Sequence, residues 1–110
     1  MDKHEEWIGE KFPDFNLIND YGEPLKLSDI KGQWSVLFFY PKDGSPGCTI
    51  ESCAFRDKYD EIVSAGGNLY GISADSIKTH QIFRQKHNLQ YTLLTDSNGE
   101  LARKMKLKRT

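Results

Sequence analysis

Residues 35–56, Ser-Val-Leu-Phe-Phe-Tyr-Pro-Lys-Asp-Gly-Ser-Pro-Gly-Cys-Thr-Ile-Glu-Ser-Cys-Ala-Phe-Arg, constrain this chain more than any other stretch. Residues 36–40 are apolar without a polar alternate, the pattern of a strand buried on both faces in a parallel sheet covered by helices. The loop that follows is dense in turn formers: Pro41, Asp43, Gly44, Ser45, Pro46 and Gly47. Ser45 suits a helix N-cap and Pro46 the first helical position. From Phe55 onward, Phe55, Tyr59, Ile62 and Val63 repeat at helical period, and Gly66-Gly67 stops the helix. Strand, tight loop and helix start thus lie together, and they hold the only two cysteines, Cys48 and Cys53.

The flanking segments extend this pattern. Residues 1–12 read as a polar lead-in. Phe15 and Leu17 alternate with Asn16, residues 19–22 make a turn, and Leu25 and Leu27 alternate around Lys26, which together predict a hairpin. Residues 28–32 predict a single helical turn ending at Gly32. Residues 69–74 are a second apolar strand. Asp75-Ser76 caps a helix through about residue 85, with Ile77, Phe83 and His80 inward. His80 and His87 read as packed or solvated histidines with no partner evident from sequence. Residues 91–94 are a third strand, closed by Asp96-Ser97-Asn98-Gly99, and residues 100–105 begin another helix. Strand and helix alternate after residue 35, which predicts an α/β fold with a mostly parallel sheet.

Composition removes several function classes. At 110 residues the chain is the size of one domain, read as a single domain over 1–110. A formal net charge of −1 offers no global field for nucleic acid or an anionic membrane, so neither is expected as a partner. No apolar run reaches transmembrane length. The acidic residues 1–7 lack the apolar segment of a secretory signal, so a cytoplasmic location is expected, or a plastid one if a transit peptide has been removed. The basic residues 103–109 read as a solvated helix end complementing the dipole. Two cysteines are too few for a disulfide framework. They are also too few for structural zinc without His4, His80 or His87, none of which has ligand spacing to them. No metal site is expected.

Two close cysteines in a chain of this kind point to redox or catalytic chemistry. The thiolate is the nucleophile, and the unpaired N–H groups and positive dipole end of a helix start favour an anion. Pro46-Gly47 lets backbone approach a small substrate closely, and Ser45 can turn its hydroxyl toward the same place. Cys53 lies about 7.5 Å further along the axis of a continuous helix and on another face. That exceeds the usual Cα–Cα reach of a disulfide, roughly 7 Å. Either the two thiols never bond, and Cys53 is an inert buried cysteine, or the helix start unwinds when they do.

The segment Tyr40-Pro41-Lys42-Asp43-Gly44-Ser45-Pro46-Gly47-Cys48-Thr49, continuing through Glu51, Cys53 and Phe55-Arg56-Asp57, resembles the active-site segment of the peroxiredoxins. The likeness is to the bacterioferritin-comigratory-protein or PrxQ branch. The family pattern of Pro, three residues, Thr or Ser, two residues, Cys is met by Pro41, Ser45 and Cys48, and Cys53 matches the branch's resolving cysteine. Weaker agreement runs through Pro13-Asp14-Phe15, Leu27-Ser28-Asp29, Gly71-Ile72-Ser73-Ala74-Asp75, Thr79-His80 and Leu93-Leu94-Thr95-Asp96. The resemblance implies a thioredoxin-like fold, a mixed sheet flanked by helices, and reduction of hydrogen peroxide and organic hydroperoxides. It implies Cys48 as peroxidatic thiol, Cys53 as intramolecular resolving thiol, Ser45 as a hydrogen-bond partner of the peroxide and Pro41 as a shaper of the pocket. Thioredoxin or a similar dithiol is the implied reductant, no metal or organic cofactor is implied, and the working form is expected to be a monomer. A thioredoxin-type disulfide reductase is disfavoured, because that chemistry uses Cys-x-x-Cys.

The resemblance also brings an expectation of something missing. The family places an arginine beside the thiolate, on a strand just beyond the helix near residues 100–107. With Met105-Lys106-Leu107 aligned to the family's aromatic-Gly-Val, Arg109 either precedes that position or, with a shorter loop, fills it. Arg56 reads as a neighbour of the site or as a surface ion pair. The chain is therefore expected to be C-terminally truncated, without its last strands and closing helix. It is then expected to expose an apolar edge along residues 36–40 and to be weakly active, with an inactive fragment or a redox-sensing module as the alternative.

Overall fold

A computed structural model describes residues 12–105. The predicted hairpin is present: β1 (Asn16–Asn19) pairs antiparallel with β2 (Pro24–Lys26), with Leu17 opposite Leu25. Asn19 closes it, its side-chain oxygen accepting from the amides of Tyr21 and Glu23, both at 2.9 Å. One helical turn, α1 (Leu27–Ile30), follows, and Asp29 accepts from the Lys26 amide at 2.8 Å. Then come β3 (Ser35–Phe39), α2 (Pro46–Ser64), β4 (Asn68–Ser73), α3 (Ile77–His87), β5 (Thr92–Thr95) and α4 (Glu100–Lys104), with a 3-10 turn, Ser97–Gly99, before α4.

The five strands form one mixed sheet in the order β2-β1-β5-β4-β3. β3, β4 and β5 run parallel, as βαβ units require, and β1 joins β5 antiparallel. Alternate side chains sort the core into two layers. Phe38, Leu69 and Leu93 face α2 and α3, where they join Tyr40, Cys48, Phe83, Leu89 and Tyr91. Ile72 and Leu94 face the other way, with Phe15, Leu17, Ile30, Leu101 and Met105.

β3 departs from the expectation of a strand buried on both faces. Val36, Leu37 and Phe39 are only half-buried, and β3 is the edge of the sheet among the described residues, as the expected apolar edge along residues 36–40 requires. The helical stripe also needs one correction: Phe55, Tyr59 and Ile62 lie on the core, whereas Val63 is exposed. A helical turn of 100° per residue carries Val63 past the contact once Ile62 is centred on it.

A ring contact fixes α2 against β3. Phe55 stacks on Phe38 with centroids 4.3 Å apart, a pairing worth about 0.5–1.5 kcal/mol beyond its buried area. The helix ends at Ala65, whose amide returns to the carbonyl of Glu61, and Gly66 supplies the left-handed φ of 84° that turns the chain back into β4. In β4, Gly71 lets Phe38, Tyr40 and Leu93 close over the strand, since a Cβ there would lie 3.0–3.2 Å from all three.

Candidate active site

Ser45 is the N-cap residue of α2 and Pro46 its first helical residue. The Ser45 carbonyl takes the first helical hydrogen bond, from Thr49 N at 2.8 Å. Cys48 is therefore the third helical residue, within the turn whose amides have no intrahelical partner. Its side chain is buried in the core layer beneath α2 but reaches an open hollow of about 330 Å³. That hollow is lined by Tyr40, Pro41, Ser45, Gly47, Cys48 and Glu51. Three of the four residues singled out from sequence thus meet at one place. The fourth, Cys53, sits two turns into α2 and half-buried, and both thiols are free. α2 is continuous from Pro46 to Ser64, so the pair is held apart in this conformation.

The Ser45 side chain makes no cap bond. Its hydroxyl donates instead to the carbonyl of Lys42, at 3.3 Å. The hydroxyl oxygen keeps its lone pairs free to accept.

Sequence reasoning missed what lies under the loop. Asp43 points inward and is buried. The Tyr40 hydroxyl donates to Asp43 Oδ1 at 2.6 Å, and Asp43 Oδ2 faces His80 Nδ1 at 2.7 Å. His80 is wholly buried, and its Nε2 donates to the carbonyl of Leu94 at 3.2 Å. The Asp43 amide donates to Asp75 Oδ2 at 2.7 Å, and the Ser73 hydroxyl donates to that same oxygen at 2.7 Å. His80 is thus a paired histidine, correcting the unpaired reading. Nothing local marks the pair: Asp43 reads as one more turn former, and its partner lies 37 residues away. The one signal in the sequence is the Thr79-His80 dipeptide, part of the weaker family agreement.

Burial holds the Tyr40 phenol far above its ordinary value, and the Asp43 carboxylate adds to this by accepting its proton. Burial likewise raises Tyr91, whose hydroxyl donates to the Ser52 carbonyl at 2.8 Å, in the middle of α2 between the two cysteines. Arg56 pairs with Asp57 at 3.1 Å and donates to the carbonyl of His87 at 2.9 Å, so it braces α2 against the end of α3. Arg56, Arg84 and Arg103 do not line the hollow, and Arg109 lies outside the described residues. Arg84 is instead spent on Asp20, with further bonds to the carbonyls of Leu89 and Tyr91.

A mixed sheet carrying a free thiol at the start of its first long helix, beside a Pro- and Ser-lined hollow, defines a thioredoxin-like thiol protein. The chain belongs to the AhpC/TSA family, whose profile matches residues 8–110. It is 48% identical over 95 residues to peroxiredoxin Bcp of Bacillus subtilis, covering 86% of this chain and 60% of that protein. It is 43% identical over 93 residues to the chloroplastic peroxiredoxin Q of Sedum lineare, covering 84% of this chain and 50% of that one. Among solved structures it resembles peroxidoxin BcpB of Mycobacterium tuberculosis, with a TM-score of 0.84 and 35% identity over 92% of this chain and 66% of that one. The chain thus spans about half to three fifths of the length of these curated relatives. Among the described residues, no helix is long and apolar enough to cross a membrane.

Proposed function

We propose that this chain is the peroxide-reacting part of a thiol peroxidase of the Bcp/PrxQ kind. The observation that carries the reading is the position of Cys48: third residue of α2, opening on a hollow shaped by Pro41 and Ser45, with a second free thiol five residues on. The Cys48 thiolate attacks the distal oxygen of a hydroperoxide. An S–O bond forms, the O–O bond breaks, sulfur is oxidised to the sulfenic acid and the other oxygen departs as alkoxide or hydroxide, which takes a proton from solvent to become the alcohol or water. Ser45 orients the substrate by accepting its O–H, because its own proton is already given to Lys42. The amides at the start of α2 steady the charge that moves onto the departing oxygen. Once the first turns of α2 unwind, the Cys53 thiolate attacks the Cys48 sulfur, the S–O bond breaks as the disulfide forms, and the oxygen departs as hydroxide, which takes a proton from solvent to become water. Both thiols come from one helix, so no second chain is needed and a monomer suffices.

A dithiol reductant such as thioredoxin restores both thiols by exchange. Half-exposed Cys53 and strongly exposed Ile50 give it an accessible, partly apolar place to approach. We place this activity in the cytoplasm, or in a plastid for a processed chain.

The test is peroxide-dependent NADPH consumption with thioredoxin and its reductase. Cys48→Ser is expected to abolish it. Cys53→Ser is expected to leave a single turnover and a trapped sulfenic acid. An unchanged steady-state rate in Cys53→Ser would remove Cys53 from the cycle. One turnover without recycling in the unaltered chain would make it a redox sensor instead.

A further inference from the structure

The loop that shapes the hollow is held from below by one buried group. Within residues 41–47 only Asp43 is buried, and its carboxylate is shared between Tyr40 of the strand end and His80 of α3. The His80 ring is itself buried and hydrogen-bonded at both nitrogens. Its backbone sits one turn into α3, whose start is capped by the Ser76 hydroxyl accepting from Thr79 N at 3.2 Å. A carbonyl only accepts, so the bond from Nε2 to Leu94 O places a proton on Nε2. Nδ1 and Asp43 Oδ2 are joined by a hydrogen bond of 2.7 Å, so both ring nitrogens are engaged.

The consequence for the hollow runs through one peptide plane. The Asp43 N–H and the Lys42 C=O belong to the same trans peptide and point in opposite directions. The N–H is fixed on Asp75 Oδ2 at 2.7 Å. The C=O is the acceptor that takes the Ser45 proton. Whatever fixes Asp43 therefore fixes the carbonyl that decides which way the Ser45 hydroxyl faces.

We propose that His80 is a positioning residue of the hollow: acting through Asp43, it sets the Lys42–Asp43 peptide and thereby the orientation of the Ser45 hydroxyl. The inference rests on the peroxidase reading above, in which Ser45 accepts the substrate O–H. His80 touches neither substrate nor thiol, so its effect is selective. It governs reaction with a peroxide, which must be oriented, and not reaction with a neutral alkylating agent, which needs only the thiolate.

The test compares His80→Gln with His80→Asn. The Asn amide stands near Nδ1 and keeps a donor for Asp43. The Gln amide stands near Nε2 and keeps the Leu94 bond alone. Rates of Cys48 with hydrogen peroxide and with iodoacetamide are measured on the full chain at a temperature where each variant is folded. His80→Gln is expected to lose about tenfold in the peroxide rate with iodoacetamide within twofold of the unaltered chain, and His80→Asn to recover most of the loss. In a Ser45→Ala background the His80→Gln effect is expected to vanish, because the group being positioned is gone. Equal losses with both reagents, equal behaviour of Gln and Asn, or an undiminished effect in Ser45→Ala overturns the proposal. Should His80→Gln fail to fold, Tyr40→Phe removes the other donor to Asp43 at constant volume. It is expected to shift the peroxide-to-iodoacetamide ratio the same way, and an unchanged ratio there overturns the proposal too. An unaltered chain with no preference for peroxide sinks the peroxidase reading, and that result is visible before any variant is made.

Discussion

Replacing Tyr91 by Phe tests how far α2 opens when the two cysteines meet. The Tyr91 hydroxyl donates to the Ser52 carbonyl at 2.8 Å, and both residues are buried. Ser52 lies between Cys48 and Cys53, so this bond ties the segment that unwinds in the proposed resolving step to the residue just before β5. Phe keeps the ring in the core beside Phe38, where the two rings meet edge to face at 5.6 Å. Only the hydroxyl is lost. In a continuous helix the Ser52 carbonyl still accepts the amide of Arg56, so no acceptor is orphaned. The cost is then that of one ordinary hydrogen bond, about 1 kcal/mol.

Where that cost appears depends on the opening. If unwinding includes Ser52, the bond exists only in the closed form, and its loss raises the open population about fivefold, since RT is roughly 0.6 kcal/mol. After a peroxide pulse the disulfide then forms about fivefold faster. The fraction of Cys48 over-oxidised to sulfinic acid by a second peroxide, read as a mass gain, falls in proportion. If unwinding stops short of Ser52, the same kilocalorie lowers global stability only, a fall in Tm of about 4–8 °C for a domain of this size. A lowered Tm with an unchanged rate of disulfide formation would refute the claim that the opening reaches Ser52.

Two further outcomes follow from the packing beneath the site. In Gly71→Ala the new methyl meets Leu93 Cδ2 and Phe38 Cζ at 3.0 Å and Tyr40 Cε1 at 3.2 Å. A stability loss of about 1–3 kcal/mol in urea denaturation is expected, and an unchanged midpoint would show that the three side chains shift freely. Tyr40 and Tyr91 make stability sensitive to alkali. Each ionises near 10.0 when unfolded and well above that when folded, chiefly because it is buried. The folded chain therefore keeps protons that the unfolded chain loses. Stability is whole below pH 10 and falls above it by about 1.4 kcal/mol per pH unit for each tyrosine. Denaturation midpoints compared at pH 9 and pH 11 measure this, and equal midpoints would remove both phenols from the buried, protonated state.

The sequence by itself determined the order of elements and which residues gather around Cys48. Turn residues and caps act over a few positions, so the hairpin at Asn19, the cap at Ser45, the first helical residue at Pro46 and the stop at Gly66 were legible without coordinates. So was the spacing of Pro41, Ser45 and Cys48, because a loop and one helical turn convert it directly into a shared hollow. Tertiary structure decided what sequence separation conceals. The apolar run of Val36, Leu37 and Phe39 reads as doubly buried, yet the structure leaves all three half-buried on a strand at the sheet edge, the edge that the family resemblance led one to expect. His80 and Asp43 read as a solitary histidine and a turn aspartate. They become one buried hydrogen-bonded pair only because the parallel crossover lays α3 beneath the loop that follows β3. Local signals reach about one turn of chain. A buried pair is chosen by which elements the sheet brings together, and by the need of each desolvated polar group to find a partner there.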